Sequence, residues 1–304
     1  GIIQAYTPST VYGWADFVTP AYNNKGFTNF SPSASLRYKI TPDLTTYVTV
    51  SRGFKGGSFQ VAPVSPSDVV PINPETTTNY EVGLKGSLFD RLLGFNLSAY
   101  HIDIKNQQLQ SSVIRDSFVV SSINNASSSK VDGFEAEATL RPARGLTLSG
   151  NVAYTRGRFT KYLISPGDRN GDGVVNAADV VDLSGTRFPY VPQWTYYLSA
   201  EYRYPVGSGD IVLGGNFRHV GNMTVGSGAT SIDPALPVPS WNRADISLGW
   251  QNEHWNVRGY IQNLTNEFII LSRWRSFQVQ PVANYVHDRV DAPRRFGVAV
   301  GYTF

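Results

Sequence analysis

The chain has 304 residues, a length that suits one large β structure, and only 16% of them are charged, against about 25% in an ordinary soluble domain. No segment reaches the roughly 18 consecutive apolar residues of a membrane helix, so a membrane protein with this sequence would have to cross with strands. The net charge of +3 is too small to indicate nucleic-acid binding, and the absence of cysteine excludes disulfide frameworks and thiolate metal sites.

The first 31 residues are rich in aromatic residues, proline, asparagine and glycine and show no steady period, which predicts a long loop. From residue 33 onward, apolar residues alternate with polar or small ones in segments of similar length. The first such segment sets Leu36 and Tyr38 against Arg37 and Lys39. This period of two predicts about eleven strands, at 33–40, 44–51, 77–88, 93–105, 130–141, 146–156, 193–204, 210–219, 242–250, 255–263 and 295–304.

One predicted strand, 93–105, is ambiguous in its second half, because Tyr100 and Ile102 lie on the face opposite the apolar residues before them. Either the end of the strand projects beyond a membrane or a bulge shifts its phase. The polar segment 106–128 that follows is predicted to be a loop, with a short hairpin around 113–120.

Two regularities favour a transmembrane antiparallel β-barrel, an all-β fold. Charged residues share one face of nearly every strand, as expected if a charge facing lipid costs about 2–4 kcal/mol, and short turns alternate with long loops. Trp194, Tyr204, Trp250 and Trp255 are assigned to the short-turn side, which predicts an aromatic girdle at the periplasmic interface. The alternative is a large soluble antiparallel sandwich, which would need polar outer faces and shorter loops.

The last predicted strand shows the alternation most clearly. Phe296 and Val298 belong to a large apolar set, and Gly297 and Ala299 belong to a small one. Because the small residues are neither charged nor bulky, we expect their face to look into open space and not into a packed core.

Six fragments of the chain are distinctive in their order and spacing. They are Ser51-Arg52-Gly53-Phe54-Lys55-Gly56-Gly57-Ser58-Phe59, Asn73-Pro74-Glu75-Thr76 leading into Tyr80-Glu81-Val82-Gly83-Leu84-Lys85, Val131-Asp132-Gly133-Phe134-Glu135-Ala136-Glu137, Gln262-Asn263-Leu264-Thr265-Asn266, Pro293-Arg294-Arg295-Phe296-Gly297 and Tyr302-Thr303-Phe304. Together they resemble the C-terminal half of the β-barrel of TonB-dependent receptors, over nearly the whole chain.

The resemblance implies a domain organisation. Residues 32–304 would form the C-terminal part of a barrel of about 22 strands, and residues 1–31 would lie in an external loop region. The family's plug domain and energy-coupling segment lie N-terminal to this part and have no counterpart in the chain. We expect an upstream or separate N-terminal part, because the first strand would otherwise leave an open edge in lipid.

The resemblance also implies a function. The protein would be a monomeric, multi-pass barrel of the outer membrane of a Gram-negative bacterium, and it would take up a scarce nutrient, an iron–siderophore complex above all, with energy relayed by TonB. The alternatives are uptake of a glycan or an aromatic compound, and a passive porin or structural barrel that never couples to TonB. An enzyme is not predicted, because the four histidines are scattered and none has a nucleophile at motif spacing.

Basic and aromatic residues at or beyond the long-loop ends of strands form the candidate ligand site. Arginine binds anionic oxygens through its forked donors, and aromatic rings stack on flat ligands. The same arginines could instead contact lipopolysaccharide phosphates or plug carboxylates, with outer-membrane lipids as partners, and the aromatic residues could form a girdle. The candidates are Arg52, Phe54, Lys55, Arg158, Arg218, Trp241, Arg273, Trp274 and Arg275.

The segment 168–179 has the ligand spacing of an EF-hand calcium loop, with glycine at its sixth position. Aspartate replaces the usual glutamate at its twelfth position, which resembles the dockerin type of calcium loop. The predicted Ca²⁺ would order an external loop and would not take part in chemistry; the alternative is a solvated loop without metal. The candidate ligands are Asp168, Asn170, Asp172, the backbone carbonyl of Val174, Asn176 and Asp179.

Overall fold

A computed structural model describes residues 25–59, 71–115, 118–164, 177–226, 235–275 and 286–304. These residues are almost entirely in β-strands. In chain order the strands are β1 Ser33–Thr41, β2 Leu44–Lys55, β3 Glu75–Leu88, β4 Leu93–Arg115, β5 Phe118–Ala143, β6 Leu146–Ile164, β7 Val181–Asp182, β8 Trp194–Val206, β9 Gly209–Val220, β10 Met223–Val225, β11 Leu236–Val238, β12 Trp241–Gln251, β13 Trp255–Gln262, β14 Ile270–Arg275, β15 Val286–Val290 and β16 Arg295–Tyr302. Among the described residues, no helix is long and apolar enough to cross a membrane.

Eleven of these strands form one antiparallel path, β1-β2-β3-β4-β5-β6-β8-β9-β12-β13-β16, in which every strand pairs with the next one along this path. The short strand β7 pairs with β6, while β10–β11 and β14–β15 form two separate hairpins. The predicted number of long strands is therefore confirmed. The short turns β1–β2, β3–β4, β5–β6, β8–β9 and β12–β13 lie at one end of the sheet. The long connections β2–β3, β6–β8, β9–β12 and β13–β16 lie at the other end, together with the far end of the β4–β5 hairpin.

The register of the strands separates two faces across the sheet. A row of paired apolar residues runs through Leu36, Val48, Val82, Ala99, Phe134 and Tyr154. The adjacent row, on the opposite face, runs through Ser35, Thr49, Glu81, Tyr100, Gly133 and Thr155. We call these the apolar face and the polar face; the second also carries Arg37, Lys85, Glu135, Glu137, Glu201 and Arg258. Such segregation is what a barrel wall between lipid and a wet interior requires.

Glycines on the polar face leave room for tyrosine rings from the neighbouring strand. A methyl carbon added to Gly297 would lie 2.3 Å from the Tyr260 ring, whereas one added to Gly301 would have no atom nearer than 3.9 Å. The expectation that the small face of the closing strand looks into open space is therefore wrong at Gly297 and right at Gly301. The same arrangement places the Tyr47 ring over Gly83 and the Tyr100 ring over Gly133.

The hairpin of β4 and β5 is much longer than predicted. The segment 106–128 is not a loop with a short hairpin, because strand pairing continues to Arg115 and Phe118. Register shifts occur only around Gln107, and pairing is continuous from residue 93 to residue 104. Tyr100 therefore faces the polar side in phase with its strand, and no bulge is needed to place it there.

The aromatic girdle was predicted on the short-turn side. Tyr204, Trp250 and Trp255 do lie beside short turns, but Trp194 begins β8 at the opposite end, after a long connection. There its ring lies 4.8 Å from Tyr154 and 5.6 Å from Phe134 between centroids. The placement of Trp194 was wrong, and the apolar face carries aromatic residues at both ends, as membrane proteins do at both interfaces.

Candidate functional site

The long-loop end of the sheet is built from connections that hold one another in place. Arg273 of β14 donates two hydrogen bonds to the Asp288 carboxylate of β15, at 2.6 and 2.8 Å, and a third to the Pro237 carbonyl of β11 at 2.9 Å. Val225 and Val238 of the β10–β11 hairpin are almost fully buried. The Arg273 guanidinium also holds the pKa of the Asp288 carboxyl below its ordinary value. The two hairpins therefore form one tied structure above β9, β12 and β13.

The base of the last long connection is fixed by Asn263, which is 1% exposed. Its backbone N–H donates to Asp245 Oδ1 at 2.8 Å, and its side-chain amide donates to the carbonyls of Glu267 and Ala292 at 2.9 and 3.3 Å. Its side-chain oxygen accepts the Glu267 N–H at 2.9 Å. Its φ of +52° is one that asparagine tolerates better than most residues. This explains the asparagine in the fragment 262–266.

An ion-pair network fixes the other end of the connection between β13 and β16. Arg243 of β12 donates to Asp245 at 3.0 Å and to Asp291 at 2.8 Å. The side chains are about one-fifth exposed, so these pairs are less screened than surface ones. Because Asp291 follows β15, the network ties the exit of the connection to the wall.

The connection between β2 and β3 is tied to the long β4–β5 hairpin on the other side of the sheet. Gln108 donates from its backbone to Glu75 at 2.8 Å, and from its side chain to the carbonyls of Gly56 and Asn73 at 2.9 and 3.0 Å. Asn73 and Asn125 exchange two hydrogen bonds, at 2.6 and 2.9 Å. Two neutral amide side chains thus position this loop beside the hairpin.

Among the predicted ligand residues, Arg218 and Trp241 are brought into contact. The Arg218 guanidinium carbon lies 5.4 Å from the Trp241 ring centroid, a cation–π distance. Trp241 is 7% exposed and packs with Val220 and Ile269. Its ring therefore supports Arg218 more than it offers a face to a ligand, while Arg218 itself is exposed.

Trp274 offers a face to solvent. It is 51% exposed, and its ring stacks on His287 with centroids 5.4 Å apart and planes at 14°. Its neighbour Arg273 is occupied by Asp288, and Arg275 is placed by its backbone pairing with Val286. Sequence reasoning missed His287, which comes to Trp274 only through the β14–β15 pairing.

The remaining predicted residues lie elsewhere on the rim. Arg52 and Phe54 end β2 on its apolar face, and Lys55 lies on the opposite face, all three exposed. Arg158 lies on β6, on the same face as Tyr154. The predicted residues therefore do not form one cluster: they are distributed around the rim, from β2 through β6 to β14.

Only the end of the predicted calcium loop lies within the described residues. Asp179 closes a 3-10 helix, Ala177–Asp179, and its side chain is fully buried. The other five candidate ligands, from Asp168 to Asn176, lie outside the described residues. Among the described residues no group of three or more metal-ligating side chains occurs, so the calcium site stays a prediction.

Comparison with known proteins identifies a family. A family model described as TonB dependent receptor-like, beta-barrel, matches residues 6–264. The pesticin receptor of Yersinia pestis is 27% identical over 236 residues, which are 76% of this chain and 30% of that protein.

Solved structures share the fold. The ferric yersiniabactin uptake receptor FyuA from Yersinia pestis superposes with a TM-score of 0.66 at 23% identity, over 90% of this chain and 37% of that one. The siderophore receptor PiuA from Acinetobacter baumannii gives 0.64 at 18% identity, over 89% and 35%. The predicted all-β barrel fold is confirmed. The chain spans about a third of the length of these relatives.

Proposed function

Because the chain belongs to the TonB-dependent receptor-like β-barrel family, we propose that it forms part of the wall of an outer-membrane transporter driven through TonB. The match over residues 6–264 is the observation that carries this proposal. The separation of an apolar face from a polar, charged one supports a wall between lipid and a wet interior. By this proposal the long connections lie outside the cell and the short turns in the periplasm.

For the ligand we propose a ferric siderophore. The support is that two relatives are named for such ligands, one as a ferric yersiniabactin uptake receptor and one as a siderophore receptor. The external rim of this chain fits an anionic, partly aromatic chelate, because Arg218 is an exposed cation and Trp274 an exposed flat ring. Arginine suits the chelate's oxygens and tryptophan its rings.

The proposal is tested by uptake of radioactive iron loaded on defined siderophores, in cells that lack the gene and carry it on a plasmid. We expect uptake to depend on the plasmid and to fall to the level of the deletion strain when the proton gradient is dissipated. Uptake that survives this treatment would indicate a passive porin. Growth rescue under carbon limitation but not under iron limitation would indicate a glycan or another carbon source.

A matched pair of variants tests the ligand surface. Trp274→Ala removes the exposed ring that stacks on His287, and Phe268→Ala removes another exposed ring of the same connection, 74% exposed. Loss of a ring–ligand stack worth about 1–1.5 kcal/mol should raise the half-saturating siderophore concentration by roughly five- to tenfold for Trp274→Ala. Phe268→Ala should leave it unchanged. Equal effects would place the ligand elsewhere on the rim.

A further inference from the structure

The apolar face of β4 and β5 ends at the row of paired residues that contains Phe134. In the next row toward the long-loop end, His101 of β4 lies opposite Asp132 of β5, and the row after that places Asp103 opposite Lys130. Titratable side chains of both signs thus replace apolar ones on this face. Because a charge that faces lipid is costly, these two rows lie outside the membrane-spanning part of the wall.

These rows are the foot of an external arm. β3 pairs with β4 as far as Lys105, and β5 pairs with β6 as far as Ser127. β4 and β5 continue to pair with each other up to Arg115 and Phe118. We call residues 107–127 the arm. Since the arm continues beyond the pairing that holds β4 and β5 in the wall, contacts at its foot determine how firmly it is held.

The His101 ring at this foot faces a carboxylate with each of its two nitrogens. Nδ1 lies 2.6 Å from Asp132 Oδ1 on the opposite strand, and Nε2 lies 3.3 Å from Asp103 Oδ2 on the same strand. A neutral imidazole has a hydrogen on one nitrogen only, and it would turn a lone pair toward the second carboxylate. Only the protonated ring donates to both. We call His101, Asp103 and Asp132 the histidine clamp.

Other groups face the clamp from the neighbouring strands. From β3, the Tyr80 ring lies opposite the imidazole, with centroids 6.3 Å apart. From β5, Lys130 lies 3.6 Å from Asp103, and from β6, Arg156 lies opposite Asp132. Both cations oppose protonation of the imidazole, yet its pKa is raised. The two carboxylates therefore prevail over the two cations.

The direction of this shift gives the sign of the pH effect. The hydrogen bond with Asp132 raises the pKa of His101 above its ordinary value; partial burial opposes the rise, and the charge of Asp103 adds to it. The folded protein thus holds the proton more tightly than the unfolded chain. The clamp stabilises the foot fully below the ordinary histidine pKa of about 6.5, and this contribution is lost as the pH rises through the raised pKa.

The clamp affects more than the arm, because the arm carries a second loop. Gln108, just above the foot, donates to the carbonyls of Gly56 and Asn73. Asn125, on the other strand of the arm, exchanges two hydrogen bonds with Asn73. The connection between β2 and β3 is therefore fastened to the arm and shares its freedom of movement.

We propose that the histidine clamp is a pH-sensitive switch, which fixes the arm and the β2–β3 connection while His101 is protonated and releases them in an alkaline medium. This inference goes beyond the proposed transport function and does not depend on it. It concerns the order of one side of the external rim, whichever ligand the protein carries.

The test is hydrogen exchange of the arm, residues 107–115 and 118–126, measured by mass spectrometry on the full protein in detergent micelles. Each variant is compared with the wild type at the same pH. His101→Gln cannot be protonated, and His101→Arg stays charged. At about pH 6, His101→Gln should exchange about two- to fivefold faster than the wild type, and His101→Arg at the wild-type rate. At about pH 9, His101→Gln should match the wild type, and His101→Arg should exchange about two- to fivefold more slowly.

His219→Gln is the matched control. His219 lies on the same face of the sheet, hydrogen-bonded to Asn242 and stacked on Tyr196. This variant should exchange in the arm at the wild-type rate at both pH values. Heat-modifiable gel mobility shows whether each variant has folded.

A second measurement serves if the His101 variants do not fold. The midpoint of the His101 imidazole in the wild type, followed by NMR, should lie above that of free histidine and fall in Asp132→Asn. Equal exchange of the wild type and both His101 variants at each pH would overturn the proposal. So would a midpoint that is not raised, or one that Asp132→Asn does not lower.

Discussion

Substituting Gly83 by alanine should destabilise the barrel wall through a single side chain. The Tyr47 ring of β2 lies over Gly83 of β3, and a methyl group there would stand 2.3 Å from two of its ring carbons. The ring would have to swing away. In doing so it would break the 2.6 Å hydrogen bond that the Tyr47 hydroxyl donates to Glu81.

The size of the effect follows from what is lost. A hydrogen bond to a charged group contributes about 1.5–3 kcal/mol, and the partial exposure of this pair places the value at the lower end. Alanine in a strand would otherwise be favoured over glycine by about 0.5–1 kcal/mol. We therefore expect Gly83→Ala to lower the free energy of unfolding by about 0.5–1 kcal/mol.

The assay is urea unfolding of the protein in detergent micelles, followed by tryptophan fluorescence. The control is Gly94→Ala in β4, where an added methyl group meets no atom within 4 Å and should be neutral or slightly stabilising. A double-mutant cycle with Tyr47→Ala isolates the contact, because the cost of Gly83→Ala should vanish once the ring is gone. If the cost persists in that background, or equals that of Gly94→Ala, the explanation is refuted.

Three further predictions concern the external connections. Asn263→Ala removes three buried side-chain hydrogen bonds and should lower the free energy of unfolding by about 2–4 kcal/mol. The pKa of the Asp288 carboxyl in the folded state is below its ordinary value of about 3.9. The pairing of Asp288 with Arg273 therefore stabilises the β14–β15 hairpin fully above the ordinary pKa, and this stabilisation is lost as the pH falls through the lowered pKa. Hydrogen exchange in the hairpin should therefore be slower than in Asp288→Asn at pH 7, and the difference should disappear as the pH falls through the lowered pKa of Asp288. If the loop 168–179 binds Ca²⁺, calcium should raise the melting temperature of the wild type, and chelation or Asp172→Ala should abolish the rise.

Each of these has its own control. For Asn263→Ala it is Asn266→Ala: the Asn266 side chain is exposed and accepts one bond, from the Arg294 backbone, so the loss should be smaller. For the ion pair it is exchange in β12, which should not differ between wild type and variant at either pH. For calcium it is magnesium at equal ionic strength, and an equal rise with both ions would show a salt effect and no site.

The strand architecture was predictable because lipid imposes it locally. Each strand must present apolar residues on one side over its whole length. The face on which residues such as Leu36 and Leu248 lie can therefore be predicted from the alternation within their own strand. The β4–β5 extension was not predictable in this way. Its serine, asparagine and glutamine residues do not alternate, and they pair because the hairpin below them sets the register.

The contacts between the long connections could not be predicted from the sequence, for a different reason. Arg243 meets Asp291 across 48 positions of sequence, and Arg273 meets Asp288 across 15. No local pattern encodes such pairs. The fragment around Asn263 indicated the family but not the structural role of Asn263. No local pattern predicted that Arg158 pairs with Arg187.

The most direct test of the account is the accessibility of single cysteines along β12, since the natural sequence contains none. Cysteines at Ile246, Leu248 and Trp250 should react slowly with a water-soluble maleimide and be protected by lipid. Those at Ser247 and Gln251, on the opposite face of the strand, should react readily from the aqueous side in the folded protein. This period of two is what a barrel wall between lipid and a wet interior predicts; equal labelling of both sets in outer membranes would contradict it.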